Sequence, residues 1–170
     1  AVNIGMDLVE SSYFCIMNND IVVTPGWLGK MISDMDECPE YAALGPITNN
    51  IGSVQAYKRI SVCMGWPEDL PENEIEEFIA SEGDGTFSME GNLPYFCTIL
   101  RKCVTDDVGR LFEGFTNGGE DDDYNDRIRL AGWALGVCLS SFVYHEHRAT
   151  RDLDLYRRQH QCKNSAILRS

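Results

Sequence analysis

The sequence predicts an α/β layer architecture, and three observations lead there. Short continuous apolar runs bounded by polar residues, YFCIM at Tyr13–Met17 and YAALGPI at residues 41–47, have the length and composition of buried strands in a parallel sheet. Between such runs, apolar residues recur at spacings of three and four, as on one face of a helix. The two patterns alternate along the chain, as in domains whose helices cover a sheet. A length of 170 residues with 44% hydrophobic content suits one domain, residues 1–170, with a sizeable core.

Taken in order, residues 1–12 read as a helix with Ile4, Leu8 and Val9 on one side. The strand Tyr13–Met17 runs into Asn18, Asn19 and Asp20, and Ile21–Val23 is a second extended piece. Thr24 and Pro25 announce a helix, Thr as N-cap and Pro at the first helical position. Trp27, Leu28, Met31, Ile32 and Met35 form its apolar stripe, and it stops before Pro39. The strand at 41–47 ends in Thr48, Asn49 and Asn50. Residues 51–70 show no clear period and read as a long connection. Residues 72–80 read as a short acidic helix with Ile75, Phe78 and Ile79 inward, and residues 81–92 as turns. A strand is expected at 93–100 and a short helix at 101–108, closed by Gly109.

The stretch GGEDDDYNDRIRLAGW, residues 118–133, sets Glu120, Asp121, Asp122 and Asp123 behind two glycines at the start of a helix. Tyr124, Ile128 and Ala131 give that helix its stripe, and Gly132 is placed to end it. Its dipole favours negative charge in the first turn and is expected to keep Asp121 ionised. Beyond it, residues 133–139 read as a strand and residues 142–144 as an extended lead into His145, Glu146 and His147. Residues 151–170 read as a C-terminal helical tail with Leu153, Tyr156 and His160 on one side.

Composition narrows the function. A formal net charge of −13 argues against nucleic-acid binding and implies that an anionic ligand would need a bridging cation. Seven scattered cysteines without a CxxC pair do not suit a cysteine zinc site. Those in YFCIM and GVCLS read as small core residues, which favours a reducing compartment. No apolar run approaches the ~20 residues that span a bilayer, and no secretory signal pattern opens the chain. The sequence lacks an initiator Met and begins within a helical pattern, so it is expected to be a fragment or to lack its beginning.

Three polar clusters could do chemistry: Asn18-Asn19-Asp20, Glu120-Asp121, and His145 with its neighbours. In open α/β sheets ligands bind at the carboxyl ends of strands, where the first and third clusters fall. A carboxylate and an imidazole, completed by phosphate oxygens and water, suit Mn²⁺ or Mg²⁺. Taken singly, Asp20 also fits a turn residue after a strand, and His145 a surface histidine.

The run AVNIGMDLVESSYFCIMNNDIVVTPGWL resembles the middle of a family 2 glycosyltransferase of the GT-A fold: a helix with N-x-G, a strand, an N-N-D form of the D-x-D motif, and a helix begun by P-G-W-L. ALGPITNN, PYFCTILRKCVTDDVGRLFEGF and FVYHEHRAT resemble later segments of that family. Glu120, Asp121, Asp123, Arg127, Ala131, Gly132 and Trp133 match its G-x-E-D-x-D-x-x-x-R-x-x-x-A-G-[YW] pattern. The resemblance implies a Rossmann-like, mixed but mostly parallel sheet flanked by helices, here without the fold's first strands and nucleotide-base site. It implies inverting transfer of a sugar from a nucleotide-sugar donor to the hydroxyl of a glycan, lipid-linked or protein acceptor. Asp20 and His145 would hold the divalent cation, with Asn18, Asn19 and Asn3 near the donor. Asp121 would be the general base, with Glu120 orienting the acceptor. A cytoplasmic location follows, including the cytoplasmic face of a membrane. Arg127 is expected to pair with Asp123, and Asp122 to be solvated surplus charge. The competing readings are a non-catalytic or truncated glycosyltransferase-like interaction module, and a hydrolase using the same carboxylates and metal.

Overall fold

The computed structural model describes residues 1–115 and 118–146. In chain order the elements are α1 (Val2–Asp7), β1 (Tyr13–Met17), β2 (Ile21–Val23), α2 (Trp27–Glu37), β3 (Tyr41–Thr48), α3 (Tyr57–Met64), α4 (Glu72–Glu82), β4 (Thr86–Ser88), β5 (Cys97–Arg101), α5 (Lys102–Val108), α6 (Glu120–Leu130) and β6 (Ala134–His145). The expected helical tail at 151–170 and His147 lie outside the described residues.

The strands form one mixed sheet in the order β1-β5-β3-β6-β2, with β4 also paired to β6. Helices cover both faces, the arrangement of a GT-A-like domain. Strand direction corrects one expectation. Among neighbouring pairs of described strands only β3–β6 is parallel, while β1–β5, β3–β5, β2–β6 and β4–β6 are antiparallel. A buried apolar run shows that a strand is covered on both faces, not which way its neighbour runs.

β3 is buried along its whole length, between β5 and β6 and beneath helices on either side. On one face Met31 and Met35 of α2 pack with Tyr41, Leu44, Ile99 and Cys138. On the other, Tyr57, Ile60, Ile75, Ile79, Tyr124 and Ile128 from α3, α4 and α6 pack with Ala43, Ile47, Leu100, Val137 and Phe142. Burying side chains of this size contributes about 1.5–3 kcal/mol each, which fixes the helices on the sheet. The Arg101 guanidinium closes the C-terminal end of α2. It donates to the carbonyls of Tyr41 (2.8 Å), Cys38 (3.1 Å) and Met35, where the helix dipole favours a cation.

Several local expectations change. α1 is shorter than residues 1–12, and it turns Asn3 and Met6 inward while Ile4 and Leu8 face out, 68% and 76% exposed. Thr24 does not cap α2. Its hydroxyl donates instead to the Phe142 carbonyl (2.6 Å), and Gly26, at φ +77°, occupies the cap position. The connection at 51–70 contains α3, and the turns at 81–92 contain β4. Cys15 is exposed because β1 is the sheet's edge, whereas Cys138 is buried as expected. The two extended pieces expected at 133–139 and 142–144 form one strand, with a bulge where pairing jumps from Pro46–Cys138 to Ile47–Phe142.

Candidate active site

The short ladder between β2 and β6 builds the first half of the site. Ile21 lies opposite His145, and the Glu146 N–H donates to the Asp20 carbonyl (3.0 Å). That register brings Asp20 Oδ1 to 3.4 Å from His145 Nε2. Asn18 and Asn19 are exposed on the same turn. His145 is only 6% exposed, and its ring is stacked flat on Phe96, centroids 5.2 Å apart. Its backbone N–H donates to Asn49 Oδ1 (2.8 Å), and Asn49 Nδ2 in turn donates to Glu72 (2.5 Å). Asn49 thus joins the ends of β3 and β6 to α4.

The second half is the first turn of α6. Gly118 (φ +114°) and Gly119 (φ +97°) take left-handed backbone that an L side chain would strain. They turn the chain so that Glu120 and Asp121 open the helix. The helix is docked on the segment before β5, where Asn125 Nδ2 donates to the Leu93 carbonyl (2.9 Å), and the nearby Tyr95 N–H lowers the pKa of Asp121. The Asp122 N–H donates to Asp121 Oδ1 (3.1 Å).

The electrostatics of Asp121 involve more than the helix dipole. Burial raises its pKa above the ordinary carboxylate value, the neighbouring Glu120 charge raises it further, and the backbone N–H donors offset this only in part. The helix start alone does not decide its charge. Asp122 also departs from solvated surplus: it is half-buried and accepts a hydrogen bond from Asn92 (2.5 Å), and burial followed by the Asp121 charge raises its pKa. The expected pair is present, with Arg127 2.6 Å from Asp123 and its guanidinium over the Tyr124 ring.

The two halves are joined by consecutive residues. The Tyr95 N–H stands near enough to the Asp121 carboxylate to lower its pKa, while Phe96 accepts the Asn18 N–H at its carbonyl (2.8 Å) and stacks its ring on His145. The Asp20–His145 pair and the half-buried Asp121 carboxylate therefore lie against one segment, although their sequence positions are far apart. Sequence reasoning missed this link, because an apolar LPYFC run carries no sign of it. Asn49 did leave a signal, a polar residue directly after a buried strand.

Asn3 is placed differently from the other predicted residues. Its Nδ2 donates to the Leu111 carbonyl (2.8 Å) and to Glu113 (2.9 Å), and its Oδ1 accepts the Leu111 N–H (3.0 Å). Its amide is committed to the loop that leads toward α6.

Asp20 and His145 suit a divalent cation. Two adjacent ligands on an ion with bonds of about 2.1 Å lie ~3 Å apart, close to the separation found, and a carboxylate oxygen with an imidazole nitrogen is an ordinary donor set for Mn²⁺. Among the described residues no group of three or more acidic, histidine or cysteine side chains could hold a metal, so ligand oxygens would have to complete such a site. The family model described as glycosyl transferase family 2 matches residues 1–102, more than half of the chain. The chain belongs to glycosyl transferase family 2. No curated protein matches it. Membership makes this a glycosyltransferase domain, with a nucleotide-sugar donor and an acceptor as its substrates. Asp20 and Asn3 fall inside the matched span, whereas Asp121 and His145 lie beyond it. Among the described residues no helix is long and apolar enough to cross a membrane.

Proposed function

We propose that this glycosyltransferase moves a sugar from a nucleotide-sugar donor to an acceptor hydroxyl, with inversion, using a divalent cation and a carboxylate base. The observation that carries this reading is the shared support. One two-residue segment, Tyr95-Phe96, lies against both: Phe96 stacks on His145 of the Asp20–His145 pair, and the Tyr95 N–H stands near enough to Asp121 to lower its pKa.

Asp20 and His145 would hold Mn²⁺ or Mg²⁺, with Asn18 and Asn19 beside the donor on the same turn. When bound, such a cation neutralises charge on the departing diphosphate. Asp121 accepts the proton of the acceptor hydroxyl as that oxygen attacks the anomeric carbon from the face opposite the leaving group. Its raised pKa makes it a better base than an exposed aspartate, provided the pH keeps it ionised. Glu120 orients the acceptor and keeps a second negative charge at the helix start. Asn3 acts indirectly, through the loop it holds ahead of α6. Phe96 and Asn49 fix the His145 ring and backbone, so the imidazole is positioned before any ligand arrives. The reaction suits a cytoplasmic setting, where nucleotide sugars and free thiols coexist.

A panel of nucleotide sugars, each with and without Mn²⁺, tests the reading by thermal shift and by release of nucleoside diphosphate in the presence of acceptor alcohols. Stabilisation by at least one nucleotide sugar, strengthened by Mn²⁺, is expected. A flat response across the panel would overturn it.

A further inference from the structure

A cavity of about 700 Å³ lies between the 51–54 loop and the segment from β4 to Pro94. Its size is that of a site for a whole small-molecule ligand. Ile51, Val54, Phe87, Met89 and Pro94 give it an apolar wall, and Ser53, Ser88 and Asn92 add uncharged polar groups. Among the described residues Glu90 is the only ionisable side chain in its lining. Two links join it to the acidic start of α6. Asn92 donates to Asp122, and Pro94 is followed at once by Tyr95, whose N–H stands near enough to Asp121 to lower its pKa. Two arginines hold backbone at the rim: Arg129 donates to the Gly91 carbonyl and is paired with Asp126 at 3.2 Å, and Arg59 donates to the Gly52 carbonyl (2.7 Å).

The loop wall is built in advance. The Thr48 N–H donates to the Gln55 carbonyl (2.9 Å), closing the 49–54 loop at its base. Gln55 is fully buried and donates to the Pro46 carbonyl (3.1 Å), and Gly45 leaves the room it occupies. This preorganisation at an apolar surface is what a ligand pocket requires and what a solvated loop does not.

We propose that this cavity receives the acceptor, and that the acceptor is a neutral glycoside carrying an alkyl or aryl group. The apolar group fills the cavity, and the sugar end reaches Asp121. Among the described residues, Glu90 in the lining and Glu120, Asp121 and Asp122 at the start of α6 outnumber the two rim arginines, and both arginines already donate to backbone carbonyls. An acidic acceptor is therefore disfavoured. This proposal rests on the transferase reading for the acceptor role, while the binding itself depends only on the cavity.

The test is calorimetric titration of the full chain with octyl glucoside, kept below its micelle-forming concentration, against methyl glucoside and octyl glucuronide. The Met89 methyl resonance is followed in parallel. Octyl glucoside is expected to bind at least tenfold more tightly than either comparison ligand and to shift the Met89 signal. Gly91→Trp is expected to weaken octyl glucoside binding at least tenfold, because a Cβ there meets no atom within 4 Å and the new ring stands at the cavity rim. If that variant fails to fold, Gly52→Phe serves at the opposite rim, where a Cβ also meets no neighbour. Equal affinities for the three ligands, or octyl glucoside binding untouched by the rim variant, would overturn the proposal. A nucleotide sugar with Mn²⁺ is titrated alongside. Donor binding without octyl glucoside binding sinks the cavity assignment alone. Octyl glucoside binding without any donor binding sinks the transferase reading, and the acceptor role with it.

Discussion

Asn3→Ala separates a structural role for Asn3 from direct contact with the donor. The Asn3 amide makes both hydrogen bonds to the backbone of Leu111, which is 8% exposed, and a third to Glu113. Glu113 is exposed and rehydrates when released, so its loss costs little. The Leu111 N–H and C=O are buried, and leaving each without a partner costs about 1–3 kcal/mol. Some of this is recovered if the loop opens to water, so a loss of about 2–3 kcal/mol is expected. For a chain of this length that lowers the thermal midpoint by about 5–10 °C. Thermal and urea unfolding measure it, with Glu113→Gln as a control expected to change stability by less than ~0.5 kcal/mol. An unchanged midpoint in Asn3→Ala, accompanied by weaker nucleotide-sugar binding, would refute the reasoning and make Asn3 a donor contact.

Asp121→Asn is expected to lower the rate of transfer by about 10²–10⁴-fold, with nucleotide-sugar affinity unchanged, as removal of a general base requires. The same variant tests the electrostatics by urea unfolding against pH. A carboxyl whose folded pKa is raised contributes stability that is present at low pH and is lost as pH climbs through its unfolded and then its folded value. The Asn variant should therefore be at least as stable as the wild type at neutral pH, and a marked loss of stability there would contradict the burial argument. In the wild type, the acid limb of kcat/KM should fall above the ~3.9 of an ordinary aspartate. Gly45→Ala is expected to cost about 1–3 kcal/mol, because its Cβ would overlap Gln55 Nε2. Since Gln55 seats the 51–54 loop, KM for the acceptor should rise in this variant while donor affinity holds.

The sequence made the helical and strand periods legible wherever a side chain's face decides burial. Met31 and Met35 of α2, Ile75 and Ile79 of α4, and Tyr124 and Ile128 of α6 are all in the core, as their spacing indicates. It misled where an exposed residue looked apolar. Ile4 and Leu8 keep helical spacing but face out, because the inward side of α1 is carried by Asn3 and Met6. A buried asparagine satisfied by a distant loop has no periodic signature. Thr24-Pro25 has the chemistry of a helix start, yet a tertiary partner, the Phe142 carbonyl, takes the hydroxyl that a cap would use. Strand direction was illegible for a related reason, since it depends on which strands become neighbours. At the site, the acids of α6 and the Asp20–His145 pair were legible as residue types in order along the chain. The Tyr95-Phe96 support was not, because it works through backbone groups and a ring face that any apolar strand could supply.

The central claim is that Asp20 and His145 together hold the cation that engages the donor. Titration of Mn²⁺ into the full chain, read by electron paramagnetic resonance with and without the nucleotide sugar that stabilises it most, tests it directly. The wild type should bind Mn²⁺ at one site, more tightly with the nucleotide sugar present. Asp20→Asn and His145→Gln should each weaken that binding at least tenfold, and Asp121→Asn should leave it unchanged. Mn²⁺ binding that survives both Asp20→Asn and His145→Gln, or that is lost in Asp121→Asn, would contradict the claim.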